Sequence, residues 1–437
     1  MKTTTIIAAA ALMFAGLMAS DALAFHDGGV ASCEGCHTMH NSKNGAAVNS
    51  AVAQFTGVQY LLKGSDQSST CLNCHAAADA APTRYHIMTY PVPADGTAPA
   101  EMTPGGDFAY LGKSYSWTTS YYAPGSSAGE RHGHNVIALD FGLIADSTLA
   151  TAPGGTYAGG NLHCSSCHDP HGQTRIHSDG SQDRNVTIGV ASEPIGESGS
   201  YGATPVVGEA VGVYRLLGGV GYVPKSYSGG PAFGAGAPDA ITPSTYNRSE
   251  AATDTRVAYG QGMSEWCANC HTDIHNDSLA SKLIHPASNA AKLTSEVTDN
   301  YNAYVASGDL TNTVATSYSS LVPYEEGTGD RATLTSHAVN DGSVTTGPST
   351  GNENVMCLSC HRAHASAYDS MTRWQNYSEF VTLDGSFPGT DAAGHAAYGQ
   401  YAQGKTMAEN QAALYGRDIG AFATFQRSLC NKCHAKD

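Results

Sequence analysis

The residues with most chemistry to offer are the cysteines, and they fall into one frame. Cys33-Glu34-Gly35-Cys36-His37 is the first of six C-x-x-C-H pentapeptides. The others are Cys71/Cys74/His75, Cys164/Cys167/His168, Cys267/Cys270/His271, Cys357/Cys360/His361 and Cys430/Cys433/His434. Two thiols at this spacing can add to the two vinyl groups of a haem, while the adjoining histidine binds its iron. The six pairs use all 12 cysteines, so none remains for disulfides or a separate zinc site. Zinc ribbons also contain C-x-x-C pairs, but they do not need a histidine directly after the second cysteine. With 19 histidines in 437 residues, that adjacency at six sites by chance is on the order of 10⁻⁸. The sequence therefore reads as a c-type cytochrome with six covalently attached haem c groups. The proximal ligands are His37, His75, His168, His271, His361 and His434.

The remaining histidines supply second axial ligands. His40, His171 and His364 come three residues after a proximal histidine, and His275 comes four after one. His37 and His40 are expected on one side of a short helix. A residue one turn from the proximal ligand cannot straddle the macrocycle, so each of these four would bind a different haem. His134 and His337 lie upstream of the third and fifth sites, on loops long enough to cross a haem face. They complete a distal set of His40, His134, His171, His275, His337 and His364. His26, His86, His163 and His285 are held in reserve, and His163, directly before Cys164, reads as structural. His132, His177 and His395 rank last. Methionine is the rival ligand, but none of the 10 falls in a repeated frame. Bis-histidine iron is six-coordinate with no open position for a substrate, which points to one-electron exchange and away from turnover chemistry.

The elements that must position these ligands look sparse. Charged residues make up 14% of the chain, against ~25% in ordinary soluble domains. Glycine (49) and proline (18) are abundant, and long aliphatic runs are scarce. The expected fold is a multihaem cytochrome c: mostly irregular coil, with short helices at the attachment sites and few strands, wrapped around a row of six haems. Each site has too few residues for an independent core. Intervals between sites are unequal, which excludes a solenoid of identical units, and stretches such as 197–238 read as loops with occasional hairpins. The net charge of -16 argues against nucleic acid. Residues 1–24 carry Lys2, an apolar run and Ala22-Leu23-Ala24, the pattern of a cleaved signal peptide. Residues 25–437 then form one exported domain, and no later stretch could span a membrane.

Longer strings extend the match beyond the bare motif. They are FHDGGVASCEGCHTMHNS (25–42), MTPGGDF (102–108), LHCSSCHDPHG (162–172), GQGMSEWCANCHTDIHN (260–276), Cys357 to Ser366, and LCNKCHAKD (429–437). In these the chain resembles the extracellular hexahaem cytochromes that form polymeric nanowires in metal-reducing bacteria. The resemblance implies a haem-wrapping fold and subunits joined head to tail. It also implies that His40 binds a haem of the next subunit, at Cys357/Cys360/His361. Electrons would then pass along the filament to extracellular acceptors such as metal oxides or partner cells. A monomeric periplasmic or secreted carrier is the alternative, and composition does not separate the two. A multihaem reductase of nitrite, hydroxylamine or sulfur oxyanions would need an open iron, which six standard motifs and plentiful histidine disfavour.

Overall fold

The computed structural model describes residues 33–40, 42–43, 46–47, 61–78, 86–100, 103–118, 124–183, 200–202, 204–243, 255–274, 285–304 and 313–434. The expected signal peptide, His26 and His275 lie outside these residues. Regular structure comes in short pieces. The longest described helices, α2 (Gln67–His75) and α4 (Ser295–Ala303), have nine residues each. The others are α1 (Cys33–Cys36), α3 (Met263–Cys267), α5 (Arg331–His337), α6 (Cys357–Cys360), α7 (Gly399–Ala402) and α8 (Met407–Ala413). Strands run two or three residues and pair into small ladders, the largest being a three-stranded sheet. In it β1 (Arg175–His177) lies between β2 (Gln182–Asp183) and β3 (Ala210–Gly212). This is the coil-dominated fold the composition implies. Within 197–238, however, β3 pairs with β1 across a long connection and makes no local hairpin.

Four of the C-x-x-C-H sites lie on a short α-helix or at its end: the first, second, fourth and fifth. Cys71 and Cys74 lie on α2, which Asp66 caps by accepting from the Ser69 amide at 2.8 Å. The third and sixth sites sit on 3-10 turns, Cys164–Ser166 and Leu429–Lys432. Helix α1 stops at Cys36, and His37 instead forms a β-bridge with Leu62. His37 and His40 therefore do not share a helical face. The backbone turns extended at the histidine, as it does at His361 (φ -113°, ψ 156°).

The apolar interior is divided. One cluster holds Ile176, Val211, Val213, Tyr259 and Met263 against Cys167. A second holds Tyr301, Tyr304, Trp374 and Leu429 against Cys360 and Cys433. A third gathers Leu72, Met88, Phe108, Val136 and Ala365. Irregular backbone leaves carbonyls that no ladder satisfies, and buried cations take several of them. Lys113 donates to Pro93, Ala94 and Thr97, with Glu409 beside it. Lys432 donates to the carbonyls of Tyr301, Tyr304 and Ser317. Arg373 reaches those of Leu358 and Ser320.

Candidate haem-binding sites

The thiols of successive sites neighbour one another, so the sites follow in space the order they have in the chain. Cys71 lies by Cys36 and is a hydrogen-bond partner of Cys164; Cys167 lies by Cys270. Cys267 and Cys357 are likewise partners, and Cys360 faces Cys430 and Cys433. Serines clip even sites to odd ones. Ser68, three residues before Cys71, accepts from the Cys164 amide at 3.0 Å; Ser264, three before Cys267, accepts from Cys357 at 3.0 Å. Burial pushes the thiols of Cys270 and Cys433 up to about 11 and that of Cys360 to about 12.

A second device recurs at the odd sites. A later segment runs antiparallel past the proximal histidine and bridges it: His37 with Leu62, His168 with Leu217, His361 with Thr372. The same two hydrogen bonds close each bridge. Thr38, Asp169 and Arg362 donate to the carbonyls of Leu61, Leu216 and Met371, each at 2.7 Å. Lys63, Gly218 and Arg373 donate back to those of Cys36, Cys167 and Cys360 at 2.8–2.9 Å. Each strap enters through a left-handed residue that is not glycine: Leu61 (φ 55°), Leu216 (53°) and Met371 (47°). Bulky residues rarely adopt this conformation, and surrounding contacts must hold them there. The carbonyls just before the last two, of Arg215 and Ser370, accept from Nδ1 of His168 and His361 at 2.8 Å.

Among the described residues, four pairs of imidazoles face one another: His37 with His171, His134 with His271, His168 with His364, and His285 with His434. Each pair contains one C-x-x-C-H histidine and one other. Ring centroids are 6.4, 6.0, 6.4 and 6.0 Å apart, while the interplanar angles run through 9°, 42°, 57° and 85°. Direct stacking would fix the angle. A constant separation with free rotation is what two ligands on opposite sides of one metal produce. Two metal–imidazole bonds of about 2 Å plus the ring radii place the centroids about 6 Å apart. The residues present thus fit haem iron between each pair. Donation from Nδ1 leaves Nε2 as the ligating atom. His271 makes this bond to the Pro153 carbonyl and His134 to that of Ala363, both at 2.8 Å. Burial lowers the pKa of His134 to about 4 and of His364 to about 3, with neighbouring imidazoles adding to it. Both are neutral and able to ligate at physiological pH.

The expected distal residues divide. His134, His171 and His364 each oppose a proximal histidine. His337 does not: at the end of α5, its Nδ1 lies 2.6 Å from Glu326, a carboxylate that also takes Arg256. Of the reserve histidines, His285 faces His434. Only tertiary placement reveals this, although Pro286 after His285 does mark an extended backbone. His40 is exposed and joins no imidazole pair among the described residues. His163 is structural, with its amide on Ser166 and its ring beside Asp66 and Ser68. Buried His132 hydrogen-bonds Ser127 and lies 3.0 Å from the Tyr110 carbonyl. His395 lies on the surface beside Tyr398. Among the described residues no helix is long and apolar enough to cross a membrane.

No protein-family model matches the chain. Over 447 residues it is 54% identical to C-type cytochrome OmcS of Geobacter sulfurreducens, covering 100% of this chain and 99% of that one. Two solved filament structures match it. One is the cryo-EM structure of OmcS nanowires from Geobacter sulfurreducens, with a TM-score of 0.85 and 53% identity. The other is the outer membrane cytochrome S filament of the same organism, with a TM-score of 0.84 and 53% identity. Each match covers 94% of this chain and 100% of the other.

Proposed function

The chain belongs to the OmcS family of c-type cytochromes, and on that premise we propose that it is the subunit of an extracellular filament that conducts electrons. It is an electron carrier and not an enzyme. Covalently bound haem c supplies the chemistry, passing one electron at a time between ferric and ferrous iron. Cys33/Cys36, Cys71/Cys74, Cys164/Cys167, Cys267/Cys270, Cys357/Cys360 and Cys430/Cys433 would hold six such groups. Their adjacency in chain order supports one continuous row. All six irons would be bis-histidine, with residues 1–24 removed on export and residues 25–437 forming one domain.

The observation that carries the reading is a two-site step. His171 follows the third site and opposes the first; His364 follows the fifth and opposes the third. His275, following the fourth site, would by the same step serve His75 of the second. His40 follows the first site, and counting two sites back from there passes into the neighbouring subunit, at its fifth site. The matching straps at His37, His168 and His361 support that equivalence. His40 would thus cap His361's iron in a neighbour, a heterologous contact that propagates into a filament. The test is His40→Ala. Six haems should still attach, one iron should lose its second imidazole, and polymerisation should fail. Normal filaments with unaltered spectra would exclude His40 as the link.

A further inference from the structure

His134 and His364 sit side by side, since the His134 amide donates to the His364 carbonyl at 2.9 Å. They face the fourth and third sites, which are consecutive in the row. Their second nitrogens meet different surroundings. Nδ1 of His134 donates to the Ala363 carbonyl, and opposite it Nδ1 of His271 donates to that of Pro153, both at 2.8 Å. Nδ1 of His168 has the Arg215 carbonyl at 2.8 Å. Nδ1 of His364 is buried and has no acceptor. Phe108 covers one face of that ring, 4.7 Å away at 25°. Gly105 closes the nitrogen edge so tightly that a Cβ there would come within 2.6 Å of Nδ1. Water therefore cannot supply what the protein omits.

An Nδ1–H that donates gives the imidazole partial imidazolate character and makes Nε2 a stronger donor. A more basic ligand favours the ferric state and lowers the reduction potential. We propose that His364 is a tuning ligand, whose lack of a hydrogen-bond acceptor holds the iron of the third site at a more positive potential than that of the fourth. The fourth site has two acceptors for its ligand pair and the third has one, so the row steps in potential between adjacent haems. Phe108 and Gly105 are the positioning residues, because they occupy the space an acceptor would need. This inference rests on His134 and His364 being axial ligands.

The test uses holoprotein variants His364→Gly and His134→Gly, each refilled with imidazole or with 1-methylimidazole, which cannot donate. Haem-resolved potentials are read by NMR-monitored redox titration. In His134→Gly, imidazole should give the fourth site a lower potential than 1-methylimidazole does. In His364→Gly, the two ligands should give the third site the same potential. Equal ligand dependence at both sites would overturn the inference. Failure of either variant to yield a high-spin iron before refilling would instead remove the ligand assignment beneath it. Wild-type protein provides a test that needs no variant: the third site should be reduced before the fourth, and the reverse order would refute the proposal.

Discussion

Replacing His285 by alanine tests whether His285 shares an iron with His434. His285 lies with its ring centroid 6.0 Å from that of His434. If the pair shares an iron, its loss leaves that iron five-coordinate or water-ligated and high-spin, while the other five keep two imidazoles. The high-spin fraction should rise from near zero to about one-sixth of total iron, and the affected haem should move to a more positive potential. His337→Ala is the matched control. His337 is 36% exposed and bonded to Glu326, which keeps Arg256 at 2.7 Å. Its removal should cost about 0.5–1 kcal/mol after allowance for solvent, and change no spin state. Low-temperature electron paramagnetic resonance with spin quantitation measures both variants. A high-spin signal in His337→Ala with none in His285→Ala would refute the reasoning.

Two further predictions come from the interior. Glu325 is fully buried; desolvation and then the nearby Glu265 push its pKa from 4.5 to about 7, against hydrogen bonds from Gly262 and Asn354. The folded state holds the proton more tightly than the unfolded chain. This contribution is therefore full below pH 4.5 and is lost as pH rises towards 7, by about 3 kcal/mol at most. Denaturation midpoints of Glu325→Gln should be flatter over that window, and an unchanged pH slope would count against the assignment. In Gly133→Ala, the new Cβ would meet the His364 carbonyl at 2.3 Å and the Ala365 Cβ at 2.6 Å. The strain should cost about 1–3 kcal/mol and disturb the ligands of the third and fourth sites. Thermal unfolding followed in the Soret band should show a lowered midpoint.

Local chemistry is legible in the sequence, although not every local turn is, since His37 leaves the helix that its spacing from His40 implied. Each C-x-x-C-H pentapeptide carries its chemistry without tertiary context, so the expectation of 12 haem-binding cysteines and six proximal histidines comes from the sequence at once. Short helices, sparse strands and, among the described residues, an apolar interior divided into clusters follow from abundant glycine, few charges and scarce aliphatic runs. Where a second histidine trails the motif, as at His171 and His364, the frame itself marked it. Pairing across the fold was a different matter. His37 meets His171, and His285 meets His434, through contacts between segments distant in the chain, and no periodicity encodes such a meeting. His337 and His285 look alike in sequence; a carboxylate claims the first and leaves the second facing a proximal imidazole. The straps were equally hidden. His361 is bridged by a residue nearby in the chain and His168 by one much further on. Loop closure costs so little with length that the connections vary freely while the closed geometry stays the same. Whether an imidazole nitrogen finds a carbonyl, as in His134, or a bare glycine edge, as in His364, was likewise decided only by packing.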